Sequence, residues 1–391
     1  MTDKIRVLIL MESTLGGTRK YIIDLLERLN LERFEVTFGY STVRADPLFF
    51  SALSKVQQRD IRLFELPMKR HISLIADSQC FFRIWNFIRM EKPHIVHCHS
   101  SKAGFLGRMA GKLAFTGAKT IFTPHGLSTN VHPNYWVFEK VASWFTDVAV
   151  AVSESEKNYF RKKHLFDDSN STTITLGLDC SRENPRFLIR EYLKIPQNSL
   201  LVASVGLLNN AKNPLGLLEA AKHVIKKNCR VHFIWIGDGE LRKEVEAFIS
   251  KHELQSNCHL IGWHSFPESI LVDCDIFALT SRYESFGYVL CEAMLENLPV
   301  VATNVTGARS IVVDGKTGYL VSYGDWQVFA WAILDLVEKR DLRMRMGVAG
   351  KERVKENFNV DKMISETEAL YVKLASTLNS YSELRSSYWG A

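Results

Sequence analysis

Two carboxylates, Glu284 and Glu292, stand eight residues apart in the segment of this sequence that offers the most chemistry. A strand is predicted to end at about Ser281, a loop containing Gly287 follows it, and an apolar helix carries Glu292. The apolar run 299–303 predicts another strand directly after this helix. Ligands bind at the carboxyl ends of parallel strands, and helix starts attract anions. We therefore expect a pocket that holds a phosphate group beside hydroxyl groups, as a nucleotide sugar requires.

The phosphate in this pocket would accept hydrogen bonds from backbone N–H groups at the start of the helix. The residues predicted to offer these groups are Ser285, Phe286, Gly287 and Tyr288. The two carboxylates would accept hydrogen bonds from sugar hydroxyls. An alternative interpretation is that Glu284 and Glu292 are solvated acids on either side of a core helix, as most acids are solvated.

A second phosphate-binding candidate is the Gly16-Gly17 pair after the first predicted strand. Two glycines there predict a tight turn whose N–H groups can approach a phosphate without Cβ clashes. Arg19 or Lys20 would add positive charge beside it. A plain strand-to-helix turn explains the same pair equally simply.

Histidines follow two further strands of the first half of the chain. His125 ends a strand where a loop begins, and a neutral imidazole can accept a hydrogen bond from a sugar hydroxyl or is simply satisfied in the loop. His97 and His99 are two residues apart on another predicted strand, so their side chains share a face. A metal site is not predicted there, because the sequence places no carboxylate or other third ligand nearby. Lys102 opens the helix that follows, either contacting an acceptor phosphate or remaining solvated.

The elements that would position these residues form two successive runs of alternating apolar strands and amphipathic helices. Predicted strands are 6–11, 35–40, 94–98, 119–123, 148–152 and 173–176 in the first run, then 200–206, 232–237, 259–261, 275–281, 299–303 and 319–321 in the second. Two such runs predict an α/β protein of two doubly wound, Rossmann-like domains facing each other across a ligand cleft. The polar stretch 179–190 is the predicted linker.

The composition is that of an ordinary globular chain. It has 391 residues, of which 46% are hydrophobic and 24% charged, and no run of eighteen apolar residues predicts a membrane span. The N-terminus leads directly into a strand and does not resemble a signal peptide. Seven scattered cysteines are typical of buried thiols in a reducing compartment. We expect a soluble, cytoplasmic protein.

Positive charge is concentrated in the first half of the chain. Residues 1–182 hold 25 Lys and Arg against 18 Asp and Glu, a net charge of +7, whereas the remainder carries −1. An anionic partner is therefore expected for the first half: a lipid surface, a diphosphate-bearing acceptor or a nucleic acid. The amphipathic segment 80–92 carries Arg83, Arg89 and Lys92, which fits either an interfacial helix on anionic lipid or a core-facing helix.

The two-carboxylate segment resembles the E-x7-E motif of retaining glycosyltransferases of family 4. The residues that accompany this motif in the family are also present here: Arg282, Phe286, Gly287, Ala293, Pro299, Val300, Thr303 and Gly307, followed by Asp314-Gly315 and 317–321. The resemblance covers about residues 4–375. It implies the GT-B fold, with an acceptor-binding domain at 1–182, a nucleotide-sugar-binding domain at 183–359, and a C-terminal helix, 360–391, that packs back on the first domain.

The resemblance also implies roles for the donor-binding residues. Glu292 would bind the ribose hydroxyls and Glu284 the sugar hydroxyls, while Gly237 would lie near the base. The diphosphate would be held by Gly16, Gly17, Arg19, Lys212 and the amides of Ser285, Phe286, Gly287 and Tyr288. His125, Glu284 and Lys212 are the residues predicted to act in catalysis.

One position departs from the family pattern. The loop around Lys212 carries an arginine five residues earlier in the family, and this chain has Leu207 there. Leucine cannot stabilise a departing diphosphate, so turnover would depend on Lys212 with Arg19 or Arg282 substituting. A degenerate subunit that binds nucleotide sugars without turnover is the alternative.

The segments containing His99, Ser101, Lys102 and His125 look most like bacterial transferases that build surface polysaccharide on a polyprenyl-diphosphate carrier. The predicted function is transfer of a hexose or N-acetylhexosamine from a UDP- or GDP-sugar to a glycan or lipid-linked acceptor. His99, Ser101 and Lys102 would bind that acceptor. No metal, cofactor or nucleic acid is expected, and contact with the inner face of the plasma membrane is plausible. A GT-B sugar-nucleotide epimerase and a transferase acting on DNA are the remaining alternatives.

Overall fold

The computed structural model describes residues 4–69, 71–126, 135–181 and 185–389. The chain divides into two compact units, unit 1 comprising Met1–Gly177 with Val360–Ala391, and unit 2 comprising Leu178–Asn359. The unit boundary therefore falls at the start of the polar stretch from which the linker was predicted.

Strands in both units alternate with helices along the chain. The strands are β1 (Ile5–Met11), β2 (Phe34–Tyr40), β3 (Arg62–Glu65), β4 (Ile95–His99), β5 (Lys119–Thr123), β6 (Val148–Ala151), β7 (Ser171–Thr173), β8 (Leu200–Val205), β9 (Val231–Ile236), β10 (Cys258–Gly262), β11 (Ile276–Leu279), β12 (Val300–Thr303) and β13 (Gly318–Val321). The helices are α1 (Gly16–Arg28), α2 (Pro47–Gln57), α3 (Leu74–Glu91), α4 (Ser101–Leu113), α5 (Trp136–Ser143), α6 (Glu154–Lys162), α7 (Ile189–Tyr192), α8 (Pro214–Lys227), α9 (Arg242–Lys251), α10 (Glu268–Leu271), α11 (Tyr288–Leu295), α12 (Thr306–Ile311), α13 (Trp326–Glu338), α14 (Arg340–Asn357) and α15 (Val360–Trp389).

Each unit is built on one parallel sheet. Unit 1 has the strand order β3-β2-β1-β4-β5-β6-β7, and unit 2 has the order β10-β9-β8-β11-β12-β13. Both orders reverse direction beside the first strand of the unit, which is the doubly wound arrangement of a Rossmann-like domain. The predicted α/β class with two Rossmann-like domains is confirmed.

The strand cores explain why these segments pair in parallel. β1 and β4 are apolar over most of their length, and the central residues Leu8, Ile9 and Val96 are fully buried. Near-continuous apolar runs of this kind are typical of strands covered by helices on both faces. The chemistry-bearing residues therefore come directly after the strands, at the carboxyl edge of each sheet.

The C-terminal helix α15 belongs to unit 1. Tyr371 is fully buried there, and its hydroxyl lies 2.7 Å from Nδ1 of His97, while its ring packs edge-on against Phe34 at 5.7 Å. Glu368 accepts a hydrogen bond from the N–H of Asn30 at 2.8 Å. These contacts fix α15 against β2, β4 and the end of α1.

Three elements differ from the sequence-based expectations. β3 was not predicted because two of its four residues are charged and its apolar run is only two residues long. β7 begins at Ser171, two residues before the predicted start, because its backbone pairs with β6. α1 begins at Gly16, so the two glycines form the first residues of the helix instead of a separate turn.

The cysteine and membrane expectations can be compared with the described residues. All seven cysteines are free thiols, and Cys80, Cys98, Cys258 and Cys291 are buried, but Cys229 is exposed, contrary to the expectation of buried thiols throughout. Within the described ranges, no helix combines the length and the apolar character that a membrane crossing needs.

Candidate active site

Lys212 and Glu284 meet at the carboxyl edge of the sheet of unit 2. Lys212 follows β8 and Glu284 follows β11, and these two strands are neighbours in the sheet. The Lys212 Nζ lies 2.5 Å from Oε1 of Glu284, which also accepts a hydrogen bond from the Ser281 hydroxyl at 2.7 Å. Only 8% of Glu284 is exposed. A nearly buried, hydrogen-bonded ion pair therefore stands where the sequence predicted a sugar-and-phosphate pocket.

Backbone contacts hold the two loops of this ion pair together. The N–H of Arg282 donates to the carbonyl of Ala211 at 2.8 Å. The hydroxyl of Thr280 donates to the carbonyl of Asn213 at 2.9 Å. These contacts hold the backbone of the two loops together, which places the Lys212 and Glu284 side chains within ion-pair distance.

The loop that carries Glu284 is supported from behind by Gly307 at the start of α12. The N–H of Gly307 donates to the Glu284 carbonyl at 2.9 Å. A Cβ atom at Gly307 would lie 2.4 Å from the Phe286 carbonyl oxygen, so only glycine allows this approach. Gly287 precedes α11 with φ +100°, a conformation that favours glycine, and it turns the chain into the helix.

Glu292 lies one helical turn beyond Tyr288 on α11. Residues four apart share a face of a helix, so the half-buried Glu292 side chain projects from the same face as the Tyr288 ring. Phe286 and Tyr288 are buried and pack edge-to-face at 5.3 Å, which anchors the start of the helix. The predicted amide donors at 285–288 therefore belong to a fixed helix start, and their role in phosphate binding stays a prediction.

Gly237 supports the loop that carries Leu207. The Gly206 carbonyl would lie 2.0 Å from a Cβ atom at Gly237, so a side chain there would displace the loop. The same carbonyl accepts a hydrogen bond from the indole N–H of Trp235 at 2.8 Å. Leu207 itself is 40% exposed. Its side chain thus offers an apolar surface where the family has a guanidinium group.

In unit 1, Gly16 of the predicted phosphate-binding Gly16-Gly17 pair and the nearby Arg19 are both engaged by a carboxylate. The N–H of Gly16 donates to Oδ2 of Asp46 at 3.2 Å, and Nε of Arg19 donates to the same oxygen at 2.9 Å. Asp46 is 8% exposed, and its other oxygen caps α2 through the N–H of Phe49. The segment therefore binds a carboxylate of its own chain, and its role toward a phosphate stays a prediction.

Three histidines and a tyrosine pack together near the carboxyl edge of the sheet of unit 1. Nδ1 of His99 lies 3.2 Å from Nε2 of His125, and the His97 and His99 rings are 4.0 Å apart. Tyr21 packs edge-on against His125 at 4.5 Å. Burial lowers the pKa of His97 and the pKa of His125 to about 3, and lowers the pKa of His99 well below its usual value. All three imidazoles are therefore neutral at physiological pH.

Lys102 lies beside this cluster but is not solvated. Its ammonium group lies 2.5 Å from Oδ2 of Asp77 and donates to the carbonyl of His71 at 3.1 Å. An acceptor phosphate would have to share Lys102 with Asp77. The acceptor-binding roles of His99, Ser101 and Lys102 stay predictions.

No group of three or more His, Cys, Asp or Glu side chains in the described part of the chain is arranged to hold a metal ion. The three-histidine cluster is included in that statement. The candidate site in unit 2 consists of the Lys212–Glu284 ion pair, the start of α11 after Gly287, and the carboxylate of Glu292.

Comparison with known proteins identifies the family. A model described as Glycosyltransferase Family 4 matches residues 15–182, and a model described as Glycosyl transferases group 1 matches residues 185–353. An uncharacterized glycosyltransferase of Methanocaldococcus jannaschii is 36% identical over 92% of this chain and 95% of its own length. The chain belongs to glycosyltransferase family 4. This glycosyltransferase is therefore an enzyme of the family predicted by the resemblance, and retention of configuration stays a prediction.

Two further similarities concern a curated relative and a solved structure. The UDP-Gal:alpha-D-GlcNAc-diphosphoundecaprenol alpha-1,3-galactosyltransferase of Escherichia coli is 28% identical over 92% of this chain and 94% of its own length. A crystal structure of an Anabaena protein in complex with UDP-glucose superimposes with a TM-score of 0.77 at 21% identity, covering 96% of this chain and 99% of that one. The GT-B fold of the glycosyltransferase is thereby confirmed.

Sequence reasoning missed two carboxylates that support the candidate site residues. Asp46 precedes Pro47, the usual order of an N-cap and the first helical residue, but nothing in the sequence links it to Arg19. Glu156 stands three residues after Ser153, the spacing of a capping box. Instead of capping its own helix start at Ser153, its carboxylate accepts from the N–H groups of Gly126 and Val152, at 2.9 and 2.8 Å.

Replacement of Glu156 by alanine should destabilise the glycosyltransferase and loosen the backbone beside His125. The buried N–H of Val152 and the partly buried N–H of Gly126 would lose their acceptor, which corresponds to about 3 kcal/mol of unfolding free energy. Denaturant unfolding and kcat of the full chain measure the two effects. Glu154→Ala, an exposed glutamate of the same helical turn, is the matched control and should change neither. Equal stability of the two variants would contradict the positioning role.

The buried histidines predict that stability falls on mild acidification. The folded pKa of His97 is depressed to about 3, whereas an unfolded histidine titrates near 6.5, so the unfolded chain binds more protons between these values. Stability is therefore full above about pH 6.5 and declines below it by about 1.4 kcal/mol per pH unit for this one histidine. His99 acts in the same direction because burial depresses its pKa as well. Denaturant unfolding at pH 7.5 and pH 5 measures the slope. His97→Gln should reduce the slope by the share of this one histidine, and the exposed-site variant His71→Gln should leave it unchanged.

Proposed function

We propose that this glycosyltransferase transfers a hexose or N-acetylhexosamine, with retention of configuration, from a nucleoside-diphosphate sugar to a glycan or polyprenyl-diphosphate-linked acceptor. The product would enter a cell-surface polysaccharide such as capsule, O-antigen or exopolysaccharide. The observation that carries the proposal is the Lys212–Glu284 pair held at the carboxyl edge of the second sheet. Ligands bind at that edge in open α/β sheets.

The donor is proposed to be a UDP-sugar. The ammonium group of Lys212 can neutralise a diphosphate, and the Glu284 carboxylate can accept hydrogen bonds from sugar hydroxyls once a donor enters. Glu292 is proposed to accept from the ribose hydroxyls. Two similar proteins support the base: the Escherichia coli enzyme is named for UDP-Gal, and the Anabaena protein was crystallised with UDP-glucose.

The chemical step needs no group beyond the donor and the acceptor. The acceptor hydroxyl oxygen forms a bond to the anomeric carbon while the bond from that carbon to the phosphate oxygen breaks. The departing phosphate oxygen takes the hydroxyl proton, and the nucleoside diphosphate leaves. Lys212 would stabilise the charge that develops on the leaving group, which is how preorganised cations lower a barrier of this kind. Roles of Gly16, Gly17 and Arg19 toward the diphosphate, and of His125 toward the sugar, remain part of the proposal.

The acceptor is proposed to be lipid-linked. Residues 1–182 carry a net charge of +7, which suits a diphosphate carrier, and the Escherichia coli relative is named for a diphosphoundecaprenol acceptor. On this proposal, residues 1–182 form the acceptor domain and residues 183–359 the donor domain. The enzyme would work in the cytoplasm, at the inner face of the plasma membrane.

Release of nucleoside diphosphate from a panel of UDP- and GDP-sugars tests this proposal. Turnover should require both a UDP-sugar and a polyprenyl-diphosphate-linked sugar, and no release should occur with water as the only acceptor. Conversion of the donor without any acceptor would favour an epimerase. Nucleotide binding without release in any combination would contradict the transferase function and favour a binding subunit.

Leu207 is the observation that favours the binding-subunit alternative. Restoring the family residue with Leu207→Arg places a second cation on the loop of Lys212, at a position that is 40% exposed and can accept a longer side chain. If diphosphate departure limits the rate, we expect kcat to rise by about tenfold. Leu207→Met is the size-matched control without charge and should leave kcat unchanged. A fall in kcat with Leu207→Arg would show that the leucine has its own role in the reaction.

A further inference from the structure

The first half of α3 presents large apolar side chains to solvent. Leu74, Ile75 and Phe82 are 82%, 77% and 61% exposed, and Ile72, just before the helix, is 54% exposed. Leu74, Ile75 and Phe82 border, with Pro67, a shallow groove of about 700 Å³. Single exposed apolar residues are common on protein surfaces, but a contiguous group of this size marks an interaction surface.

This exposed surface is separate from the face of α3 that forms the core. Cys80, Ile84 and Ile88 are fully buried against β1, β4 and α4. Ile75 is nine residues before Ile84, which places the two side chains on opposite sides of the helix. A core-facing helix therefore accounts for one face of the segment and leaves the other unexplained.

The charges around the exposed face favour an anionic partner. Between Leu66 and Met90 the sequence contains four Lys or Arg residues and a single acid, Asp77. That acid is paired with Lys102 and only slightly exposed. Lys69 and Arg83 are exposed at the margin of the apolar residues. Apolar side chains rimmed by cations are typical of surfaces that rest in the headgroup region of a membrane.

The position of this face relates it to the predicted acceptor residues. α3 begins after β3, and α4 begins after β4, so both helices start at the carboxyl edge of the same parallel sheet. Lys102 of α4 bonds both the His71 carbonyl and Asp77, which ties the two helix starts together. A bilayer in contact with the start of α3 would hold its headgroups beside Ser101 and Lys102.

We infer that the face formed by Ile72, Leu74, Ile75 and Phe82, with Lys69 and Arg83 at its margin, docks unit 1 onto an anionic lipid bilayer. The inference deepens the proposed function by specifying how a lipid-linked acceptor reaches the enzyme. Docking itself needs neither donor nor acceptor, so it can be tested apart from glycosyl transfer.

Cosedimentation of the full chain with vesicles, in the absence of any sugar nucleotide or acceptor, tests the inference. The protein should bind vesicles of phosphatidylcholine with phosphatidylglycerol, bind vesicles of phosphatidylcholine alone more weakly, and lose affinity as salt is raised. The triple variant Leu74→Gln, Ile75→Gln, Phe82→Gln should bind anionic vesicles at least about tenfold more weakly. Met90→Gln is the matched control, because Met90 is 71% exposed at the far end of the same helix, and it should bind like the native protein.

Three outcomes would overturn the inference. The first is that the native protein does not bind anionic vesicles. The second is that the triple variant binds them as well as Met90→Gln does. The third is that sedimentation velocity shows a dimer of the native protein and a monomer of the triple variant. The last outcome would assign the face to a second copy of the chain. Thermal unfolding and circular dichroism of the triple variant should match those of the native protein, since every substituted side chain is exposed. A failure of glycosyl transfer would leave the vesicle result unaffected.

Discussion

Replacement of Lys212 by methionine should lower kcat by about 10²- to 10³-fold, the usual effect of removing one preorganised group that stabilises a developing negative charge. Methionine keeps most of the side-chain length and removes only the ammonium group. The same change leaves the Glu284 carboxylate, 8% exposed, with Ser281 as its remaining side-chain partner. Steady-state release of nucleoside diphosphate measures the effect.

Controls separate this catalytic effect from loss of folding. Lys222→Met removes a lysine that forms a surface pair with Glu219 on α8, and it should leave kcat unchanged. Glu284→Gln and the double variant with Lys212→Met complete a double-mutant cycle. If the pair acts as one unit, the double variant should be about as slow as the slower single variant. Additive losses, or a small loss for Lys212→Met with unchanged thermal unfolding, would contradict the role assigned to the pair.

Replacement of Glu292 by alanine should weaken nucleotide binding by about 10- to 100-fold with a smaller effect on kcat. A carboxylate that accepts from two ribose hydroxyls makes charge-assisted hydrogen bonds, and water replaces it in the variant; a 10- to 100-fold loss corresponds to about 1.4–2.7 kcal/mol for the two bonds together. Isothermal titration with UDP measures the loss directly. Glu296→Ala, four residues further along the chain, is the matched control and should bind UDP like the native enzyme.

A substrate analogue makes this second result specific to the ribose. The native enzyme should bind 2′-deoxy-UDP more weakly than UDP, because one of the two hydroxyls is absent. The Glu292→Ala variant should bind the two nucleotides equally. Discrimination that survives in the variant would assign the ribose contact to another residue.

The sequence was sufficient for the features that depend on local pattern. Apolar strands alternating with helices gave the two-domain α/β class, and the strand ends gave the edge where Lys212 and Glu284 lie. Their direct ion pair was not predicted, because the two residues are 72 positions apart and only the pairing of β8 with β11 brings them together. The sequence thus indicated Lys212 and Glu284 separately, but not the ion pair that they form in the absence of a donor.

Features that depend on tertiary contacts lay beyond sequence reasoning. Asp46 engages Gly16 and Arg19 from 27 to 30 residues away, and Glu156 holds the N–H of Gly126 from 30 residues away. The short strand β3 is defined by its pairing with β2 and not by its own apolar character. Lys102 was expected to meet a phosphate or solvent, whereas it pairs with Asp77 of α3, a contact that follows from the packing of α3 on α4.

One measurement tests the central claim most directly. Proton NMR of the product formed from a UDP-sugar and a polyprenyl-diphosphate-linked sugar reports both transfer and anomeric configuration, while UDP is quantified in the same sample. The account predicts one UDP released for each sugar transferred and a product linkage with the same anomeric configuration as the donor. An inverted linkage would contradict retention, and UDP-sugar binding without any transferred product would contradict the transferase function itself.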